Sequence, residues 1–299
     1  MKNNNKSMNL QNILVLSVFL LLFFSFSFPV NIASETNQIR EKAAFSNIPN
    51  SEKRILADDS ARDEKLLRLT NNDKLTGEII EQHSLIVGSK ISITCRRPVY
   101  SWLVDHINIS AALSRFFGMN YKLSPGTLYE YHGVDGEGLN VDFYRAYHDS
   151  TTTVFVGDGK IKIFFITISG SFINYMEYNN TNSALMESQN CIYARIKNPV
   201  TRLFASMVFA VSDVEETIME KIFALDDTVY KLVKTLMDDP HLYIMLKEPQ
   251  SPVPEGASDI AVKIRDSVVR ESSIKTAQEL GELVEKARYE VRRSNIFER

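Results

Sequence analysis

The 299-residue chain is 44% hydrophobic and 24% charged, with a formal net charge of -3. That is the composition of an ordinary globular protein, and it leaves no basic footprint for nucleic acid. Two cysteines, Cys95 and Cys191, are too few for a disulfide scaffold.

At the N-terminus, Lys2 and Lys6 stand in an Asn-rich start, an apolar block covers residues 13–28, and Pro29, Ala33 and Ser34 follow. This pattern predicts a secretory signal peptide over residues 1–34, cleaved near Ala33 or Ser34. The block also approaches the length of a membrane anchor. Cleaved or retained, it predicts that the remainder lies outside the cytoplasm, periplasmic or secreted. Residues 35–83 are polar and charged, with Ile55, Leu56, Leu66, Leu67 and Leu69 forming a patchy apolar stripe. They read as a helical spacer on the surface.

From Ser84 the pattern becomes alternation. Leu85, Val87, Ile91, Ile93 and Cys95 share a face, and Gly88 reads as a bulge. Arg97-Pro98 ends this strand and opens one or two short helices, with Trp102, Leu103, His106 and Ile107 at helical spacing and Gly118 as the stop. Strand patterns follow in LYEYHG, LNVDFYRAY, STTTVFV, KIKIFFITIS, GSFINYMEY and CIYARIKN. Gly136-Glu137-Gly138 and Gly157-Asp158-Gly159 read as hairpin turns. Connections this short demand an antiparallel meander. Taken as one strand, KIKIFFITIS puts Ile161, Ile163 and Phe165 on one face and Phe164, Ile166 and Ile168 on the other. Apolar residues on both faces predict that one looks into a hollow and the other lies under cover.

Pro199 opens a long helix with apolar residues at Phe204, Met207, Val211, Val214, Ile218, Ile222, Leu225, Val229, Leu232 and Leu236, and Asp238-Asp239-Pro240 ends it. Residues 241–256 read as a Pro-rich linker. Residues 257–299 read as an amphipathic helical tail with Ile260, Ile264, Val268, Ala277, Leu280, Val284, Ala287 and Val291 on its stripe, a surface for a protein partner.

A strand, short helices, a meander of five or six strands and one long closing helix, over residues 84–240, resemble the helix-grip fold of the START-like (SRPBCC) superfamily, to which Bet v 1-type proteins and polyketide cyclases belong. The entry ISITCRRPVYSWLVDH, with its proline, Trp102 and Asp105, is similar to that of the superfamily. The resemblance implies an α+β domain in which a curved antiparallel sheet wraps a long C-terminal helix around an apolar cavity. It implies a lining of Trp102, Phe116, Phe143, Phe155, Phe165, Phe172, Tyr193, Arg195, Met207 and Val211. It also implies that the first and last strands are neighbours, which would bring Cys95 beside Cys191 for a disulfide. The face parities of the two cysteines disagree with that pairing, and two buried free thiols are the alternative.

No nucleophile elbow, phosphate loop or CxxC is present, and the histidines lack metal-ligand spacing, so neither a metal nor a cofactor is expected. Asp105 and His106 are adjacent on a helix and point apart, which argues against a catalytic pair. The expected function is therefore carriage of an apolar ligand such as an envelope lipid, with a membrane surface as the source. The alternatives are a cyclase- or hydrolase-type enzyme using His106 or a Tyr-Arg pair, and a non-catalytic envelope module.

Overall fold

A computed structural model describes residues 51–56, 59–118, 121–126, 130–135, 138–163, 166–181, 185–198 and 228–297. The predicted secretory segment, Phe165, Met207, Val211 and the long helix as far as residue 227 lie outside the described residues. Within them the chain is α+β, built on one eight-stranded antiparallel sheet.

The strands are β1 (Ser51–Ile55), β2 (Leu85–Thr94), β3 (Lys122–Pro125), β4 (Tyr131–Val134), β5 (Asn140–His148), β6 (Thr152–Ile163), β7 (Ile166–Asn180) and β8 (Leu185–Ile196). Their order across the sheet is β1-β2-β8-β7-β6-β5-β4-β3. The meander expected from the short connections runs from β3 to β8. The first predicted strand, β2, lies beside the last, with Leu85 opposite Ala194 and Thr94 opposite Leu185. Gly88 keeps regular pairing with Cys191 in this ladder, so it is not a bulge; a register shift occurs in β5 between Arg145 and Tyr147.

The stretch KIKIFFITIS is not one strand. Gly157-Asp158-Gly159 runs straight through β6, and the chain reverses between Ile163 and Ile166, which pair with each other. The reversal puts Ile161 opposite Ile168 on one face, where the single-strand reading had separated them. Neither Gly157 nor Gly159 has a positive φ, so these glycines meet a need for space. A Cβ on Gly157 would lie 2.3 Å from the Asp142 carbonyl oxygen, and one on Gly159 would lie 2.9 Å from Val141 Cγ1.

Helices cover both faces. On one lie α1 (Ser60–Leu69) and α2 (Lys74–Gln82). Asp59 caps α1 by accepting from the Ala61 and Arg62 amides, and Asp73 caps α2 by accepting from Thr76. Leu66, Ile79 and Ile80 pack there on Ile86, Val154, Val156, Ile173 and Tyr193. From Ser51 on, the run read as a spacer is thus part of the domain: it supplies the edge strand β1 and the cover of one sheet face. Three or four well-placed apolar residues suffice for this, at about 1.5–3 kcal/mol for each full burial.

The other face carries α3 (Arg97–Asp105) and α4 (Ile107–Ser114), with Pro98 in the first turn of α3, a break at His106, and a 3-10 turn ending at Gly118 in the left-handed conformation. Residues 228–238 are helical (α5), followed by α6 (Leu242–Lys247), α7 (Asp259–Glu271) and α8 (Ile274–Phe297). Val229, Leu232 and Leu236 of α5 belong to the core that contains Ile93, Phe143, Phe155 and Met176 of the sheet. Residues 241–256 are therefore more than a linker, since Leu242, Met245 and Leu246 of α6 are buried. Nor is α8 a free tail: Ala277, Leu280, Val284, Ala287 and Val291 are at most 8% exposed. Arg288 of α8 donates to the carbonyls of Leu236 and Asp239, meeting the free acceptors at the end of α5. Arg96, just before α3, pairs with Glu290 of α8 at 2.8 Å.

Replacing Leu280 with Ala should therefore lower the unfolding free energy by about 2–5 kcal/mol, the range for a core leucine. Urea denaturation of the full chain measures this. A loss below about 0.5 kcal/mol would mean that α8 is an appendage.

Candidate functional site

The meander leaves a cavity of about 270 Å³ on the face that carries α3 and α4. Its aromatic wall is centred on Phe143 of β5, which meets Phe155 edge-on at 5.6 Å and Phe172 at 6.4 Å. Ile107 and Ala111 of α4 border it on the helix side, and Leu123 of β3 at the sheet edge. The room itself comes from small residues. Gly159 and Gly170 are cross-strand partners on the cavity wall, and Ala194 faces Phe172 on the adjoining strand. A Cβ on Gly170 would fall 2.5 Å from the Arg195 carbonyl oxygen, so neither glycine can carry a side chain that would close the space.

Of the residues that the resemblance implied as lining, Phe143, Phe155 and Phe172 border this cavity. Trp102 and Phe116 do not. Trp102 is 7% exposed and stacked on His106 with centroids 3.9 Å apart, and Phe116 packs on the same core under Arg115. Tyr193 also points elsewhere, because its parity places it under α1. There it accepts from Arg62 Nε at 2.6 Å and donates to Asp63 Oδ1 at 2.5 Å. Burial first, and the bond to Asp63 second, push its phenol well above the ordinary range, so it stays a neutral donor. Arg195 borders the cavity along the strand, but its guanidinium reaches Glu78 of α2 at 2.9 Å. The Tyr-Arg pair therefore does not face the cavity. Phe165, Met207 and Val211 lie outside the described residues.

Ile161 and Ile168 line the cavity and belong to the run expected to face a hollow, whereas Asn174, Ile192 and Ala194, also on the wall, carried no sequence signal that was recognised. Glycines inside strands, at 157, 159 and 170, were the available clue, but two of them read as a turn.

The charged groups near α3 form a separate cluster. Asp105 Oδ1 accepts from His148 Nε2 at 3.0 Å and from Arg145 at 3.3 Å. His106 Nδ1 donates to the Trp102 carbonyl at 2.8 Å. Asp105 and His106 thus serve different partners, as expected for neighbours on a helix. His132 bonds Asp142 at 2.7 Å. Among the described residues no three His, Cys, Asp or Glu side chains converge as a metal site would require.

Cys95 and Cys191 are free and buried. The implied disulfide fails on register. Cys191 stands opposite Gly88, and Cys95 lies seven residues further along β2, about 23 Å at strand rise. The two sulfurs also belong to cores on opposite faces of the sheet. Burial pushes the Cys95 thiol up to about 12 and the Cys191 thiol up to about 11.

No family model matches the chain. No curated protein matches it. Two chains among the solved structures do. One, described as a conserved protein from Geobacillus kaustophilus, is 12% identical, with the match covering 50% of this chain and 93% of that one at a TM-score of 0.36. No helix among the described residues is long and apolar enough to cross a membrane.

Because the thiolate is the reactive form, neither cysteine should react with Ellman's reagent at pH 8 in the folded protein, and both should react once it is unfolded in urea. Mass measurement without reductant should give two free thiols. A disulfide, or rapid labelling of the native state, would contradict the register described.

Proposed function

We propose that this chain is a carrier of an apolar small molecule, a lipid-like aliphatic chain, held in the cavity between the sheet and α4. The cavity carries the reading, since its side-chain wall is aromatic and aliphatic over nearly all of its extent. The strand order supports it further. A meander whose last strand lies beside the first predicted strand, with α5 in the core of the same face, is the arrangement a START-like helix-grip domain would have. With the secretory reading of residues 1–34, the carrier acts outside the cytoplasm and takes its ligand from an envelope membrane surface.

The size of the cavity limits the guest. At about 30 Å³ per water-sized group, 270 Å³ holds on the order of ten methylene-sized groups. Burying ten methylenes yields on the order of 8 kcal/mol, at about 0.8 kcal/mol each. Association costs at least about 4 kcal/mol. The net is at most about 4 kcal/mol, an affinity of about 1 mM or weaker from apolar contact alone, weak enough for release to a membrane.

Filling the cavity tests the proposal. Ala194→Phe from the sheet and Ala111→Leu from the helix should each weaken binding of a ten-carbon chain at least tenfold, read by native mass spectrometry or by displacement of an environment-sensitive dye. The urea midpoint should stay near that of the parent. If no aliphatic chain of any length binds the parent protein, the carrier reading fails.

A further inference from the structure

Along β6 the exposure of the cavity wall rises toward the end of the strand. Phe155 is buried, Gly159 and Ile161 are half-buried, and Lys160 is exposed while bordering the cavity. Ile168 of β7, the cross-strand partner of Ile161, is half-buried as well. The cavity therefore reaches the surface where β6 ends and β7 begins, and Phe155 lies at its inner end.

That opening is set among lysines. Lys160 and Lys162 stand two residues apart on β6, on the same side of the strand and about 7 Å from each other at strand rise. The Lys197 amide, just past β8, donates to the carbonyl of Ser169, the partner of Lys160, which puts Lys197 two strand spacings or about 10 Å away. Lys122 of β3 lies at the same level, through the pairs Lys122–Val134, Val134–Asn140 and Asn140–Lys160. All four lysines are exposed.

The acids beside them are engaged elsewhere or with only one of them. Asp158 takes Lys197 at 2.7 Å, and Asp142 is bonded to His132. Among the described residues Lys122, Lys160 and Lys162 pair with no carboxylate. In a chain of net charge -3 this end of the sheet is a local cationic patch. Lys160 and Lys162 lie within the roughly 10 Å over which charges act together at 0.1 M salt. Their complement is an anionic surface. A nucleic acid or an acidic protein would use the charge and leave the apolar opening unused. A lipid surface uses both, since its anionic head groups meet the lysines and its acyl chains meet Ile161 and Ile168.

We infer that the β6–β7 end of the sheet docks on an anionic lipid surface, with Lys160 and Lys162 on the head groups and the mouth of the cavity against the acyl layer. The inference rests on the carrier reading and deepens it by naming the docking surface and the charge of the membrane. Each lysine near such a surface is worth about fivefold in binding.

The test is co-sedimentation of the full chain with phosphatidylcholine vesicles, alone or with about 30% phosphatidylglycerol, at about 0.05 M and 0.5 M NaCl. The parent should bind the anionic vesicles at least tenfold more tightly than the neutral ones at low salt, and lose that preference at high salt. The Lys160→Gln, Lys162→Gln double variant should lose at least tenfold on the anionic vesicles. Lys263→Gln, Lys275→Gln on α7 and α8, with the same change of charge, should lose less than twofold. Equal binding of the two vesicle types by the parent would overturn the inference, and this comparison needs no variant. So would equal losses in the two double variants, or polyglutamate binding as tightly as the anionic vesicles. Displacement of a cavity dye by decanoic acid, measured without vesicles, reads the carrier function separately: its failure in the parent would remove the carrier reading, whereas vesicle binding decides the docking surface.

Discussion

The ladder between β2 and β8 is the constraint on which the rest of the fold depends. It joins Leu85–Thr94 to strand residues about a hundred positions away, and it decides which side chains share a face. Leu85, Val87 and Ile93 lie opposite Ala194, Ile192 and Met186, while Ile86 lies opposite Tyr193. A slip of one residue would put Tyr193 against the cavity and Ile192 under α1. The two faces become chemically distinct through this register, with α1 and α2 packed on one and α3, α4 and α5 on the other.

The faces are finished differently. Under α1 and α2 the sheet is closed by Leu66, Ile79 and Ile80 and by polar ties from Arg62 and Asp63 to Tyr193 and from Glu78 to Arg195. Lys65 and Glu177 add an ion pair at that surface. On the other face, Gly159 opposite Gly170 and Ala194 opposite Phe172 leave space that packing does not fill.

The segments flanking the sheet show how tertiary contact changes the meaning of a weak pattern. The stripe of α1 was patchy because Leu66 is its fully buried apolar residue, while Leu67 and Leu69 lie at the margin of the same cluster. The stripe of α8 was clear, but its partners, α3, α6, α7 and the end of α5, could not be read from it. Amphipathicity reports that a helix has an apolar face and says nothing about what covers it. Arg96 and Arg288, each an unremarkable charge in the sequence, turn out to bind α8 to the start of α3 and the end of α5.

By itself the sequence determined the α+β class, the antiparallel meander, and the placement of β2 before two short helices. These follow from local periods of two and 3.6 and from connections too short for a crossover. The tertiary structure decided the pairing of Ile163 with Ile166, the distance between Cys95 and Cys191, the side of the sheet on which Tyr193 and Arg195 act, and the room left by Gly159 and Gly170. The reason is the same in each case. A glycine spared for a turn and a glycine spared for a close neighbour look identical in a sequence, and face and register are set by strands that meet only after folding.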